Sequence, residues 1–183
     1  MTKLLCGCLI LLSISIPTIA KEKVGWKLRK DSVGILVYSR KSENRSYEEF
    51  KATVDVEANL ANSLALLNDP EACRKWLHRC KESHLVVQVT PTEKFFYQVT
   101  SLPFPAKSRD SIFHATISFD KTKTITIHIV ARPEKLPQTK HVRVLDAYGT
   151  YILEAISDSQ TRITWQQYVD PTGSLPAWLV NSM

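Results

Sequence analysis

Four potential metal ligands, Cys73, His78, Cys80 and His84, fall within twelve residues. Zinc would draw on such thiols and imidazoles, but the spacing Cys-x4-His-x-Cys-x3-His fits no usual zinc pattern. A disulfide between Cys73 and Cys80 is the preferred reading, with a metal site as the alternative. Residues seven apart on one continuous helix lie about 10 Å from each other and could not bridge. A helix in this region must therefore end near Leu77 or His78. Closing so short a loop would brace the fold by roughly 2 to 3 kcal/mol rather than form a catalytic couple.

Signals for catalysis are weak. The sequence holds no Gly-x-Ser-x-Gly, no phosphate loop and no His-Glu-x-x-His, and its acids and histidines form no recognisable triad or dyad. Arg109, followed by Asp110, has the better claim to ligand chemistry. In the strand that follows, Phe113, Ala115, Ile117 and Phe119 share one face, and Ile112, His114, Thr116 and Ser118 share the other. Phase carried back puts Arg109 on the apolar face with Phe113 and Ile117. Its guanidinium then either meets a ligand or lies at the strand entrance with the stem packed and the head in water. The aromatics Tyr97, Phe95, Phe113, Trp165 and Trp178 are open to two readings, structural core or ligand wall.

The elements that must position these groups follow from composition and periodicity. With 183 residues, 44% hydrophobic, 23% charged, and 5 Gly against 9 Pro, the chain is neither disordered nor collagenous nor a disulfide scaffold, and it fits one globular domain. The net charge of +6 is mild and spread, which does not indicate nucleic acid but leaves attraction to an anionic bilayer open.

Residues 1–20 read as a secretory signal peptide: Lys3, an apolar run from Leu4 to Ile16, then Pro17 and cleavage near Ala20. An uncleaved membrane anchor over residues 4–20 is the alternative. Cleavage removes Cys6 and Cys8 and leaves Cys73 and Cys80 in an oxidising compartment, periplasmic or extracellular, where paired thiols are the norm. The domain proper then spans 21–183.

Ile35 to Tyr38 and Tyr47 to Val56 read as an edge pair of strands. Leu60, Leu64 and Leu67 recur at helical spacing within Ala58 to Leu67, and a short helix follows over Pro70 to Leu77. Strands are expected at 85–90, 94–100, 112–119, 124–131, 141–147, 150–157 and 162–169. Short turns at 91–93, 120–123 and 158–160 make several of them antiparallel hairpins. Ile125, Ile127 and Ile129 share a face opposite Thr124, Thr126 and His128, so each strand carries one apolar and one wet face. Asp170-Pro171-Thr172-Gly173 ends the sheet, and Pro176 to Val180 starts a helix.

Pro103-Phe104-Pro105-Ala106-Lys107-Ser108-Arg109-Asp110, after Phe96-Tyr97-Gln98-Val99-Thr100, resembles the segment by which START domains are recognised, the lipid-transfer domains related to steroidogenic acute regulatory protein. Trp26-Lys27-Leu28, Asp31 to Ile35, Leu66 to Asp69, Trp76-Leu77 and Asp170 to Leu179 look like further landmarks in the same order. The pattern is similar to compact, exported bacterial members and to phosphatidylcholine-transfer-type domains. The resemblance implies an α+β helix-grip fold: a curved antiparallel sheet wrapped around a C-terminal helix, enclosing a tunnel for one lipid. It also implies that Arg109 reaches the cavity and that Asp110 faces outward or braces the strand start. The terminal helix is expected to be truncated at Met183, leaving the groove partly open.

The expected function is non-catalytic binding, with transfer, of a single lipid or other hydrophobic ligand. Arg109, Phe113, Ala115, Ile117, Ile127, Ile129, Tyr97 and Trp165 are expected to face one cavity, Trp165 in competition with the alternate phase of its strand. No cofactor, metal or nucleic acid is expected. A cyclase- or hydrolase-like enzyme using the same cavity through Arg109 or His128 is the alternative, and a nonfunctional remnant is a third.

Overall fold

Alternation along the chain becomes a single ten-stranded sheet in the computed structural model, which describes residues 25–42, 44–173, 175–176 and 180. The strands are β1 (Lys27–Ser32), β2 (Ile35–Lys41), β3 (Glu48–Val56), β4 (Cys80–Thr90), β5 (Glu93–Thr100), β6 (Arg109–Phe119), β7 (Thr124–Ala131), β8 (Val142–Arg143), β9 (Asp146–Ala155) and β10 (Thr161–Asp170). Along the sheet they run β1-β2-β3-β10-β9-β7-β6-β5-β4, all antiparallel, with the two-residue β8 joining β6 in parallel off this path. The last strand thus lies between β3 and β9, neighbours from opposite ends of the domain. The hairpins expected at 91–93, 120–123 and 158–160 are all present as β4/β5, β6/β7 and β9/β10. Register irregularities in β1 and at three places in β4 fall on the two edge strands, where bulges bend a strand and disrupt its unpaired edge.

Two short helices cover one face. α1 (Leu60–Asn68) starts two residues later than its periodicity suggests, because the Asn59 side chain caps it by accepting from the Asn62 amide at 2.8 Å. Asp69 ends α1 and caps the next turn, its Oδ1 accepting from the Glu71 amide at 2.9 Å. A 3-10 turn at Pro70–Ala72 leads into α2 (Cys73–Trp76), and Leu77 is already extended. That early stop brings the Cys73 and Cys80 Cα atoms to 6.1 Å, and the two sulfurs are joined in a disulfide. Only His78 and His84 are left of the four candidate metal ligands. Leu60, Leu64, Leu67 and Trp76 press on Ile125, Ile127, Tyr151 and Leu153, and this inner-face cluster is the main core. Each such buried aliphatic contributes about 1.5 to 3 kcal/mol.

Three expectations need correction. The expected edge pair, 35–38 with 47–56, forms as β2 and β3 but does not end the sheet, because β1, exposed at five of its six residues, adds outside β2 by backbone pairing. The expected strands 141–147 and 150–157 are instead β8 and one continuous β9. The chain breaks step between them because Val142 and Arg143 are drawn to β6. The outer face is also not uniformly wet. Tyr97, Val99 and Ile112 stand on it, yet they are buried with Val86 beneath Leu136, which belongs to the segment linking β7 to β8.

A buried ion pair holds that cover in place. Asp110, fully buried on the outer face, accepts from Arg143 Nε at 3.0 Å and Nη2 at 2.9 Å, from Thr139 Oγ1 at 2.8 Å and from the Tyr97 hydroxyl at 3.4 Å. Arg143 also donates to the carbonyls of Pro133, Leu136 and Pro137. Burial alone would raise the Asp110 carboxyl, but the bonds from Arg143 and Thr139 and the Arg143 charge outweigh it and hold the group below 3.8. The expected leader (1–20) lies outside the described residues, as does the short terminal helix apart from Pro176 and Val180.

Replacing Asp110 with Ala strands the Arg143 charge, and urea denaturation is expected to show a loss of about 3 to 5 kcal/mol. Because the folded carboxyl titrates below its unfolded value, its contribution is present above pH 3.8 and is lost as pH falls further. In Asp110→Ala that component of the acid limb of the stability curve should be gone.

Candidate functional site

Between the two helices and the inner face lies a cavity that opens to solvent on one side. Leu67 to Pro70 from the end of α1, and Cys73, Trp76 and Leu77 from around α2, form one wall. Ser83 from β4, Lys94, Phe96 and Gln98 from β5, Ala115 from β6, Ile127 and Ile129 from β7 and Tyr151 from β9 form the other. The β6/β7 register sets Ala115 opposite Ile129 and Ile117 opposite Ile127, and β9 adds Tyr151 opposite Ile127. One side-chain layer therefore continues across three strands.

The expected site residues divide by position. Ala115, Ile127 and Ile129 line the cavity, and Ile117 and Trp165 pack in the same inner-face cluster without forming its wall. Trp165 takes the inner phase because it stands opposite Ala52 and Tyr151. It stacks on the Tyr151 ring at 5.4 Å between centroids and meets the Phe50 edge at 4.7 Å. Gly149 leaves room beside it, since a Cβ there would come within 3.3 Å of the Gln166 carbonyl and 3.9 Å of Trp165 Nε1. Phe113 shares the inner face but sits past Phe96, 5.3 Å away between centroids, against Ala131, Val144 and Ala147.

Two residues are placed otherwise than expected. Tyr97 is on the outer face: Phe96 pairs with Phe113 and Gln98 with Ser111, so the inward phase of β5 is Lys94, Phe96 and Gln98. Arg109 keeps the inner phase but stands at the far end of β6, away from the cavity wall. Buried to 6% exposure, it donates from Nε to Pro171 O at 2.9 Å, from Nη1 to Lys107 O at 2.6 Å and from Nη2 to Thr172 O at 2.9 Å. It thereby ties the end of β10 to the loop before β6. His128, the histidine of the enzyme alternative, is exposed on the outer face beside Thr150, 3.3 Å from its hydroxyl. The sequence reading also missed the helix-side wall and Lys94. The spacing of Leu67 and Trp76 places both on helices, but nothing local tells which strands they meet.

The wall is apolar with a few polar groups set in it. Tyr151 is buried deeply enough to push its phenol well above the usual value, so it is neutral at any ordinary pH. Trp76 Nε1 and Ser83 Oγ are buried without a hydrogen-bond partner among the described residues.

Comparison with known proteins agrees with this architecture. The family model of the START domain matches residues 11–183. An uncharacterized protein of Pseudomonas aeruginosa is 32% identical over 158 residues, which are 86% of this chain and 78% of that protein. The solved structure of a STAR-related lipid transfer protein fragment from Xanthomonas axonopodis matches with a TM-score of 0.80 at 34% identity, over 86% of this chain and 89% of that one. The crystal structure of human STARD10 matches with a TM-score of 0.75 at 26% identity, over 86% of this chain and 66% of that one.

The disulfide joins the helix-side wall to β4, which makes it a brace of the cavity. In oxidised protein Cys73 and Cys80 are expected to resist thiol labelling. A Cys73→Ser/Cys80→Ser variant should lose about 2.5 kcal/mol in urea denaturation. Its earliest amide exchange should appear between Pro70 and Cys80.

Proposed function

The chain belongs to the START domain family, and from that premise we propose that it binds one lipid or other hydrophobic ligand in the cavity under α1 and α2, without chemical change to it. The observation that carries this reading is the continuous apolar layer of Ala115, Ile127, Ile129 and Tyr151 facing Leu67, Trp76 and Leu77. Such a layer takes up an acyl chain at about 0.8 kcal/mol per methylene withdrawn from water. The similar Xanthomonas protein, a STAR-related lipid transfer protein by name, supports transfer as the use to which binding is put. The enzyme alternative loses support from the side-chain positions, because Arg109 spends its donors on backbone carbonyls and His128 lies across the sheet from the cavity.

Export completes the proposal. The signal-like residues 1–20 support a periplasmic or secreted protein, and a disulfide accords with an oxidising compartment. The full chain carries +6, or +5 once residues 1–20 with Lys3 are removed, and that charge favours transient contact with anionic membrane surfaces, from which a lipid would be taken.

Filling the cavity tests the reading. Ala115 is 2% exposed and central to the wall, so Ala115→Trp should occupy ligand space at a stability cost of about 1 to 3 kcal/mol. After incubation with phosphatidylcholine and phosphatidylglycerol vesicles, native mass spectrometry should show one bound lipid on the wild type. The folded variant should retain at least about tenfold less. Equal retention would place the lipid elsewhere.

A further inference from the structure

Lys94 stands in the cavity wall with no carboxylate in ion-pair contact among the described residues. Lys94 enters from β5 and is 6% exposed, and its ammonium donates only to the backbone oxygen and side-chain Oδ1 of Asn68, at the end of α1. Among the described residues no carboxylate lies within ion-pair distance of it. Asp69, which also lines the cavity, is exposed and has its Oδ1 engaged by the Glu71 amide. Burial pushes the Lys94 ammonium below its usual value, and the more distant Asp69 charge opposes that only in part. A buried charge held solely by neutral acceptors is costly unless something brings it a counter-charge. The same cavity holds two further groups awaiting partners, the Trp76 Nε1–H donor and the Ser83 hydroxyl.

We propose that the ligand is an anionic amphiphile, its carboxylate or phosphate head paired with Lys94 and its chain lying on Ala115, Ile127 and Ile129. The proposal rests on the lipid-binding reading and adds to it the charge of the head. A neutral head, an alcohol or a glyceride, could satisfy Trp76 and Ser83 but would leave the ammonium without a counter-ion. An acidic head resolves both, and it makes Lys94 the residue that selects among lipids of equal chain length.

The test titrates the full chain at pH 7.5 with oleate, oleyl alcohol and inorganic phosphate, read by tryptophan fluorescence and calorimetry. Wild-type protein is expected to bind oleate at least about tenfold more tightly than oleyl alcohol. Lys94→Met should weaken oleate by at least about 30-fold and leave oleyl alcohol within about twofold, while Lys94→Arg keeps the preference. The melting temperature of Lys94→Met should be unchanged or higher, since the substitution removes a buried charge. Equal wild-type affinity for oleate and oleyl alcohol would overturn the proposal even if no variant folds. So would a Lys94→Met variant that loses both ligands alike, the mark of a lysine that serves only to hold Asn68. Inorganic phosphate bound as tightly as oleate would replace the amphiphile by a free anion. Failure of both oleate and oleyl alcohol to bind the wild type would overturn the lipid reading itself, and the proposal with it.

Discussion

Ala115, Ile127, Ile129 and Tyr151 share one face because β6, β7 and β9 are held in a single register. A one-residue slip of these strands would exchange the layer for Thr116, His128 and Thr150. The rest of the molecule depends on that register. The helices have an apolar surface to cover only while it holds, and the cavity is the space left where they do not press fully onto the sheet. The strand pairs are mutually locked, since Ile127 stands opposite both Ile117 and Tyr151, so a slip in one ladder would have to be matched in the next.

The polar groups that are buried divide by purpose. Asp110 and Arg143 satisfy each other and three carbonyls, and together they pin the 133–143 segment over Tyr97, Val99 and Ile112. Arg109 likewise ties Pro171 and Thr172, the exit of β10, to the start of β6. These are closed networks in which nearly every donor is spent. The cavity is built differently, with an ammonium and two further polar groups left incompletely answered by the protein. Ser63 Oγ on α1 is likewise buried without a partner among the described residues, but only Lys94, Trp76 and Ser83 bring such groups to the wall of a space that a ligand could enter.

How much of this was legible in the sequence varies with how local the cause is. The pleat alternation of Phe113 to Phe119 and Ile125 to Ile129 fixed both the strands and their inner phase, because a four-residue turn joins them. Leu60, Leu64 and Leu67 announced an amphipathic helix, but not the strands it would cover. β5 could not be phased. Both of its alternating sets contain aromatics, and the loop 101–108 separates it from β6, so no turn carries the phase across; Tyr97 was assigned inward and Lys94 overlooked for the same reason. The burial of Ile112 was hidden too, since its cover arrives from residue 136, beyond a whole intervening strand. Resemblance to START domains supplied the overall architecture, including a cavity role for Arg109 that its bonds to Lys107, Pro171 and Thr172 do not support.

The position of β10 bears on how the chain reaches this structure. Its partners are β3, more than a hundred residues earlier, and β9, immediately before it. Until residues 161–170 emerge during synthesis, the β1–β3 ribbon has no neighbour on its inner side and β9 presents an unpaired edge. Completing the sheet therefore waits on nearly the whole domain and requires a long loop to close, the kind of non-local step that slows folding. In the interval two open edges and an uncovered apolar layer coexist on one polypeptide, a state exposed to aggregation. The topology that sets β10 between β3 and β9 therefore keeps the sheet open until its last strand is made.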